Sequence, residues 1–316
     1  MNIECRGEEY HCRPFDLMRC KIVTIGLSPA WDRTIEVQNI NWGQHKVIST
    51  VKIIPAGKAL NINRALAQMG QKSVAAGLWG QDDWNEMKQA TADLKNFVQA
   101  RFTKAKGATR ENITIIDIVK KHEMHLRGKS NLADEKSLSD LNGNLQKIIT
   151  KNSICIFAGA LPSGRLLKKA VRLIETAKKK GAKVVIDTLG TALKKATAAG
   201  GLFVIKPNIE ELGELIGRKM PNERNAIIAA AKKLLNKTEL VLVSRAEKGA
   251  ILIGKDVVLS ARYTGRKYDV YNTVGCGDFL LAGFIGELGK TGNLKKALEK
   301  GLKAATAKAF GRLSIH

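Results

Sequence analysis

Aromatic side chains are scarce in this sequence, at 5% of residues. No stretch interleaves them with basic residues in the way that single-strand nucleic-acid binders stack bases. Acidic residues are few as well: Lys and Arg number 53 against 29 Asp and Glu, a formal charge of +24. That balance invites a polyanion partner. The lysines, however, fall mostly in helix-patterned segments such as Leu166-Leu167-Lys168-Lys169-Ala170 and Leu294-Lys295-Lys296-Ala297-Leu298, where they read as solvated faces. The expectation is non-specific polyanion affinity at low salt and no dedicated nucleic-acid function. Cysteines number five, scattered at 5, 12, 20, 155 and 276 without metal spacing. Such a set argues against a disulfide scaffold and fits a cytoplasmic protein. Nowhere does an apolar run reach the roughly 18 residues of a membrane helix. Neither Gly-x-x-x-x-Gly-Lys-Ser/Thr nor Gly-x-Gly-x-x-Gly occurs, so any nucleotide is held by other loops. Residues 1–17 mix charges and lack an apolar core. They read as a disordered extension or a misplaced start, with Met18 an alternative beginning. The extension is set at residues 1–19, with one domain over 20–316.

What is present is a strand–helix alternation. Lys21–Leu27 is a short β-branched run, a buried strand by length and flanks. Residues 33–54 read as two strands around Asn41-Trp42-Gly43, with one face exposed as a lid or dimer surface. Lys72–Trp79 is a strand, followed by a helix from Asp83 to about Leu94. Thr109–Asp117 alternates as a strand, with His125-Leu126-Arg127 on its partner. From Ser153 the order is regular: strands at 153–158, 183–187, 202–206, 240–244 and 250–254, with helices at 165–180, 192–199, 208–216 and 222–235. This order implies a doubly wound α/β domain with a parallel sheet and helices on both faces.

The chemistry concentrates in a few loops. Asn272-Thr273-Val274-Gly275-Cys276-Gly277-Asp278-Phe279-Leu280-Leu281-Ala282-Gly283-Phe284 is a tight glycine turn opening into an apolar helix. Small residues at 275–277 let backbone N–H groups approach a ligand, and the helix's positive end favours an anion. Asp278 beside that anion site suits a general base facing a transferring phosphoryl group; the plain alternative is an acidic capping residue. Pro55-Ala56-Gly57-Lys58-Ala59-Leu60-Asn61 feeds a helix that stops at Gly70. Lys58 suits a phosphate and Asn61 a polyol, or they are a solvated lysine and a helix-start Asn; taken as functional, this is a second anion site, separate from the first. Asp32, just past the first strand in Ser28-Pro29-Ala30-Trp31-Asp32, either accepts from sugar hydroxyls or is a turn carboxylate. Arg110 and Arg127, if brought together, suit a dianionic phosphate through the guanidinium fork. Asn208 and Glu211 in Lys206-Pro207-Asn208-Ile209-Glu210-Glu211 share one side of a first helical turn. They suit a hydrated Mg²⁺, or a capping box. Ser244-Arg245-Ala246-Glu247-Lys248-Gly249 either lines a nucleotide's phosphates or merely joins two strands.

Together these stretches resemble the PfkB carbohydrate kinases of the ribokinase-like fold, in the branch of phosphofructokinases and tagatose-6-phosphate kinase. The 272–284 stretch is similar to the family's D/N-T-V/T-G-A-G-D signature, and Pro55–Asn61 to its P-G-G-K-G-x-N-V loop. Ser28–Asp32 resembles N-P-A-x-D, Lys206–Glu211 resembles K-P-N-x-x-E, and Gly159-Ala160-Leu161-Pro162-Ser163-Gly164 resembles G-S-L-P-P-G. The resemblance covers roughly residues 20–310. It implies a kinase domain over 20–316 with a β-sheet lid formed by strands near 31–54 and 110–127. It implies ATP and Mg²⁺, and phosphorylation of a ketohexose phosphate: fructose 1-phosphate, fructose 6-phosphate or tagatose 6-phosphate. Asp278 would be the base and the N–H groups of Gly275, Cys276 and Gly277 the anion hole. Asp32, Gly57, Lys58, Asn61, Arg110 and Arg127 would bind the sugar phosphate. Lys206, Ser244, Ala246 and Gly249 would lie along the nucleotide, and Asn208 with Glu211 would organise the metal. In many relatives the lid also pairs two subunits. Ala56, Ala59, Asn63, Ala160 and Ala246 depart from the family pattern. These departures leave open a same-fold kinase of a free sugar or nucleoside, or a non-catalytic ligand-binding relative.

Overall fold

The computed structural model describes residues 2–9, 20–48, 50–265 and 273–312. In chain order its strands are β1 (Ile3–Glu9), β2 (Lys21–Gly26), β3 (Ala30–Val37), β4 (Thr50–Ala56), β5 (Ser73–Gly80), β6 (Val98–Ala105), β7 (Glu111–Asp117), β8 (His122–Arg127), β9 (Ser153–Ala158), β10 (Lys183–Asp187), β11 (Leu202–Ile205), β12 (Thr238–Ser244), β13 (Ala250–Gly254) and β14 (Val257–Tyr263). Its helices are α1 (Lys58–Gln68), α2 (Trp84–Ala90), α3 (Glu135–Ile148), α4 (Arg165–Lys179), α5 (Gly190–Ala198), α6 (Ile209–Ile216), α7 (Arg224–Lys232), α8 (Cys276–Thr291) and α9 (Leu294–Ala309). Among the described residues no helix is long and apolar enough to cross a membrane.

Ten strands form the main sheet in the order β1-β14-β13-β12-β11-β10-β9-β2-β5-β6. The strands from β12 to β6 run parallel; β13, β14 and β1 add an antiparallel flank. Strands such as SICIFA in β9 are buried throughout, as a sheet covered on both faces requires. Alternate residues feed two cores. Val23 and Ile25 pack with α3, α4, α5 and α7, while Ile22 and Ile154 pack with α1, α8 and α9. Chain order reverses beside β2, which has β9 on one side and β5 on the other. The loops after β2 and β9 therefore flank the crevice where open α/β sheets take ligands.

The second sheet has the order β4-β3-β7-β8. Its register places Ile54, Asp32, Asn112 and Arg127 abreast, so one face carries a polar row. The opposite face carries Ile53, Arg33, Ile113 and Leu126, then Val51, Ile35, Ile115 and Met124. Asp117 braces the far end by accepting from the amides of Asn39, Ile40, Val119 and Lys120. Burial works against its charge, but those four donors win and its pKa falls to about 2.

The amino terminus differs from expectation. Residues 3–9 are not a loose extension but the edge strand β1, paired along its length with β14. Glu4 accepts from Arg262 across that pair at 2.8 Å. Its charges hid it, since an edge strand carries them without loss. The proposed start at Met18, with residues 10–19, lies outside the described residues. The helix expected over 83–94 is broken, with α2 ending at Ala90 and a single 3₁₀ turn at 92–94.

Candidate active site

Two helices begin at the same place. α1 starts after Gly57, whose φ of 111° suits glycine alone, and α8 starts after Gly275 at φ 82°. Asn61 in the first turn of α1 donates to Asp278 Oδ2 in the first turn of α8 at 3.0 Å. The two stretches read as separate candidate anion sites therefore adjoin, with two positive helix ends side by side. Asp278 is 3% exposed. Burial raises its pKa and Asp187 raises it further; Lys58, Asn61 and Lys206 pull the other way, leaving it at about 6.

The glycine turn is partly used up by its own folding. Cys276 N–H donates to Thr273 and Asp278 N–H to Gly275, so neither amide is free for a ligand. Gly275 and Gly277 contribute no N–H to those backbone bonds. Asn272 lies outside the described residues. Cys276 is half-buried, and burial pushes its thiol pKa up, as fits packing better than a reactive thiolate. A Cβ on Gly277 would stand 3.3 Å from Lys206 Nζ, and one on Gly275 would stand 3.8 Å from Lys308 Cε. Two ammonium-bearing chains thus lie over the turn.

Lys58, partly exposed at the mouth of α1, pairs its Nζ with Asp187 Oδ1 at 2.9 Å. Lys206 Nζ reaches the same oxygen at 3.3 Å. Burial disfavours the lysine's charge, yet Asp187, Asp278 and Glu211 together hold its pKa above the ordinary value. Asp187 is fully buried. Burial opposes its ionisation, but Lys206 and Lys58 keep its pKa below the usual range. Sequence reasoning passed over Asp187 as the last residue of a strand. The available signal was an acid closing the apolar run Lys183-Val184-Val185-Ile186 at the ligand end of the sheet.

Asn208 and Glu211 form the capping box: Glu211 N–H donates to Asn208 Oδ1 at 2.8 Å and Asn208 N–H to Glu211 Oε2 at 2.9 Å. Among the described residues no cluster of three or more His, Cys, Asp or Glu could enclose a metal. Asp187 Oδ2 is buried without a hydrogen-bond partner, and Glu211 Oε1 stands outside the box. This donor set fits a hydrated Mg²⁺ held through water, not a directly caged ion. Ser244 adjoins this loop, bridging to Asn208 and donating its amide to Pro207. Ala246 has φ 50°, where glycine would be unstrained, and Gly249 has φ 84°.

On the lid, Asp32 Oδ1 accepts from Asn112 at 2.8 Å. Burial raises the Asp32 pKa against the opposing pull of Asn112, Arg110 and Arg127. Asn112, unmarked in the sequence, links the two sides of this group. Arg127 is exposed. Arg110 is not presented as a free fork. Its Nε donates to Pro29 O, Nη1 to Gly128 O and Asn112 Oδ1, and Nη2 to Ser28 O. Four of its five N–H groups are thereby engaged. Between lid and core lies a hollow lined by Gly26, Ser28, Pro29, Gly57 and Lys58, with the methyl groups of Ala56 and Ala59 on its wall. Asn63, another departure, is buried and satisfied by Thr24 and Ser73.

Residues 20–313 match the family model described as pfkB family carbohydrate kinase. The chain belongs to that family. It is 29% identical to a 1-phosphofructokinase of Bacillus subtilis over 92% of both chains. It is 26% identical to a tagatose-6-phosphate kinase of Staphylococcus epidermidis, covering 93% of this chain and 91% of that one. The structure of phosphofructokinase-2 from Escherichia coli in complex with fructose-6-phosphate superposes with a TM-score of 0.84 at 23% identity, over 92% of this chain and 94% of that one. That last likeness speaks for the fold, a large mostly parallel sheet flanked by helices with a small second sheet. As a pfkB family member the chain is a phosphotransferase acting on a hydroxyl group.

Proposed function

We propose that this protein is an ATP- and Mg²⁺-dependent kinase that transfers the γ-phosphoryl group to a hydroxyl of a ketohexose phosphate. The observation that carries the reading is Asp278. It is a buried carboxylate at a helix mouth, held by Asn61 from the start of α1 and set next to the amides of Gly275 and Gly277. In this reading Asp278 takes the proton of the acceptor hydroxyl as its oxygen bonds to phosphorus and the ADP oxygen departs. Gly275 and Gly277 N–H, with Lys206, meet the charge on the transferring group. Lys58 and Lys206 keep Asp187 ionised between them. Asn208 and Glu211 would hold Mg²⁺ through water, and the ion would neutralise phosphate charge. Asp32, Gly57, Asn61, Arg110 and Arg127 would hold the sugar phosphate. Ser244, Ala246 and Gly249 would lie along the nucleotide.

Support for a phosphorylated substrate comes from the relatives named for fructose and tagatose phosphates. Arg110, occupied by carbonyls, is the observation that favours the alternative of a free sugar or nucleoside, because a clamp must first let go. A coupled ADP-release assay with fructose 1-phosphate, fructose 6-phosphate, tagatose 6-phosphate, free fructose and adenosine separates the two. Turnover best on a free sugar or nucleoside would sink the phosphate-clamp reading. We also infer pairing of two copies through the apolar face of the lid, where Ile53, Val51, Met124 and Leu126 are each more than 40% exposed. A cytoplasmic location follows from the same reading, since the reaction needs ATP.

A further inference from the structure

Asp83 occupies the N-cap of α2, where an aspartate ordinarily accepts from its own helix. It makes no such bond. Its carboxylate is turned the other way, towards the root of the lid. Oδ2 accepts from Trp31 Nε1 at 2.5 Å and from Trp79 Nε1 at 2.8 Å, and Oδ1 accepts from the Thr109 amide at 2.7 Å. Trp79 belongs to the main sheet and is fully buried. Trp31 and Thr109 stand where the chain crosses into the lid, at the starts of β3 and β7. The two tryptophan rings meet edge to face at 5.6 Å, so the carboxylate closes a rigid bracket. Thr109 is secured a second time, its hydroxyl accepting from Gly80 N–H at 2.9 Å.

The residues next to the two gripped positions are Asp32 and Arg110, both assigned above to the sugar phosphate. A local capping rule is broken here, and the acid joins core to lid instead. We propose that Asp83 is a positioning residue for the sugar-phosphate site, fixing Asp32 and Arg110 in place through Trp31 and Thr109. The inference rests on the kinase reading for its substrate but not for its geometry. A carboxylate can serve all three donors, two on one oxygen and one on the other. Asparagine keeps the shape but offers one acceptor oxygen, and its amide would face an N–H with another N–H.

The test uses the full chain with Asp83→Asn, Trp31→Phe and the double variant. Losing a charge-assisted bond at this bracket should raise KM for the sugar phosphate about 10-fold in Asp83→Asn while KM for ATP stays within about twofold. Trp31→Phe keeps an aromatic ring beside Trp79 while removing the donor, so it carries the test if Asp83→Asn folds poorly. Its sugar KM should rise part of the way, and the double variant should be no worse than Asp83→Asn alone, since both remove one shared contact. A merely structural role would move both KM values together, and that result, or unchanged sugar KM, overturns the proposal. Amide hydrogen exchange without ligands supplies an independent arm. Residues 31–36 and 110–116 should exchange faster in Asp83→Asn, while 154–157 and 184–186 should not. Equal lid protection in variant and wild type overturns the bracket. Wild type that phosphorylates none of the sugar phosphates, with the lid loosened by Asp83→Asn, would instead overturn the kinase reading and leave the bracket supported.

Discussion

Two buried carboxylates stand close enough at this site to feel one another, and the protein treats them oppositely. Asp187 has two ammonium partners and stays ionised; Asp278 has an amide partner and a pKa near 6. If Asp278 is the base, only its ionised form works, so turnover should fall along an acid limb centred at about pH 6. Asp278→Asn should remove that limb and lower kcat by roughly 10²–10⁴ while ATP still binds; near-normal kcat would remove Asp278 from the mechanism. The same carboxylate costs stability. Its pKa is higher folded than unfolded, so the folded state weakens as pH climbs from about 4 through about 6. Asp278→Asn should therefore melt above wild type at pH 8 and match it below about pH 4, as calorimetry across pH would read. Lys58 lowers the Asp278 pKa through its charge. Lys58→Met should shift the acid limb of kcat upward, and an unmoved limb would mean that the two groups are not coupled.

At the scale of elements, the strands that carry the site were readable because they are covered on both faces. A buried strand must be an unbroken apolar run, and β9, β10 and β11 follow the expected bounds to within a residue. Elements at the margin obey weaker rules. β1 alternates poorly because its pairing, not its pattern, holds it, and its Gly7 lies where a Cβ would collide with Val258 O. Without β1 the strand β14 becomes an open edge, inviting further pairing. Deleting residues 2–9 should lower the melting temperature and promote self-association in light scattering; a variant as stable and monodisperse as the full chain would show that β1 is dispensable. The glycines of α8 and α9 show a constraint of another kind. A Cβ on Gly283 would lie 2.8 Å from Gly301 Cα. The helix that presents Asp278 is thus seated by two facing glycines, one of which lies in the 272–284 stretch without any chemical role there.

For the whole molecule, the lid is the feature with two tasks. One face carries the polar row, and on the other Val51, Ile53, Met124 and Leu126 are left exposed by the described residues. Isolated exposed apolar residues are ordinary, but a contiguous set on a sheet marks a contact surface. Leu126→Glu on that face should shift the mass measured by sedimentation from a dimer to a monomer; a monomeric wild type would refute pairing through the lid. The charge of +24 should show as weak polyanion binding that fades steeply with salt.

The sequence by itself determined the doubly wound sheet and the loops at its ligand end. Those follow from apolar periodicity and from glycine, whose backbone freedom is a local property. It marked Asp278, Asn61, Lys58 and Lys206 one by one but not their union, because a hydrogen bond between residues 61 and 278 leaves no trace in either neighbourhood. Only the tertiary structure showed that the mouths of α1 and α8 meet. Likewise it alone turned Arg110 onto backbone carbonyls, paired both lysines with Asp187, and aimed Asp83 away from its helix. Side chains choose partners by proximity, and proximity across the fold is what a linear pattern does not carry.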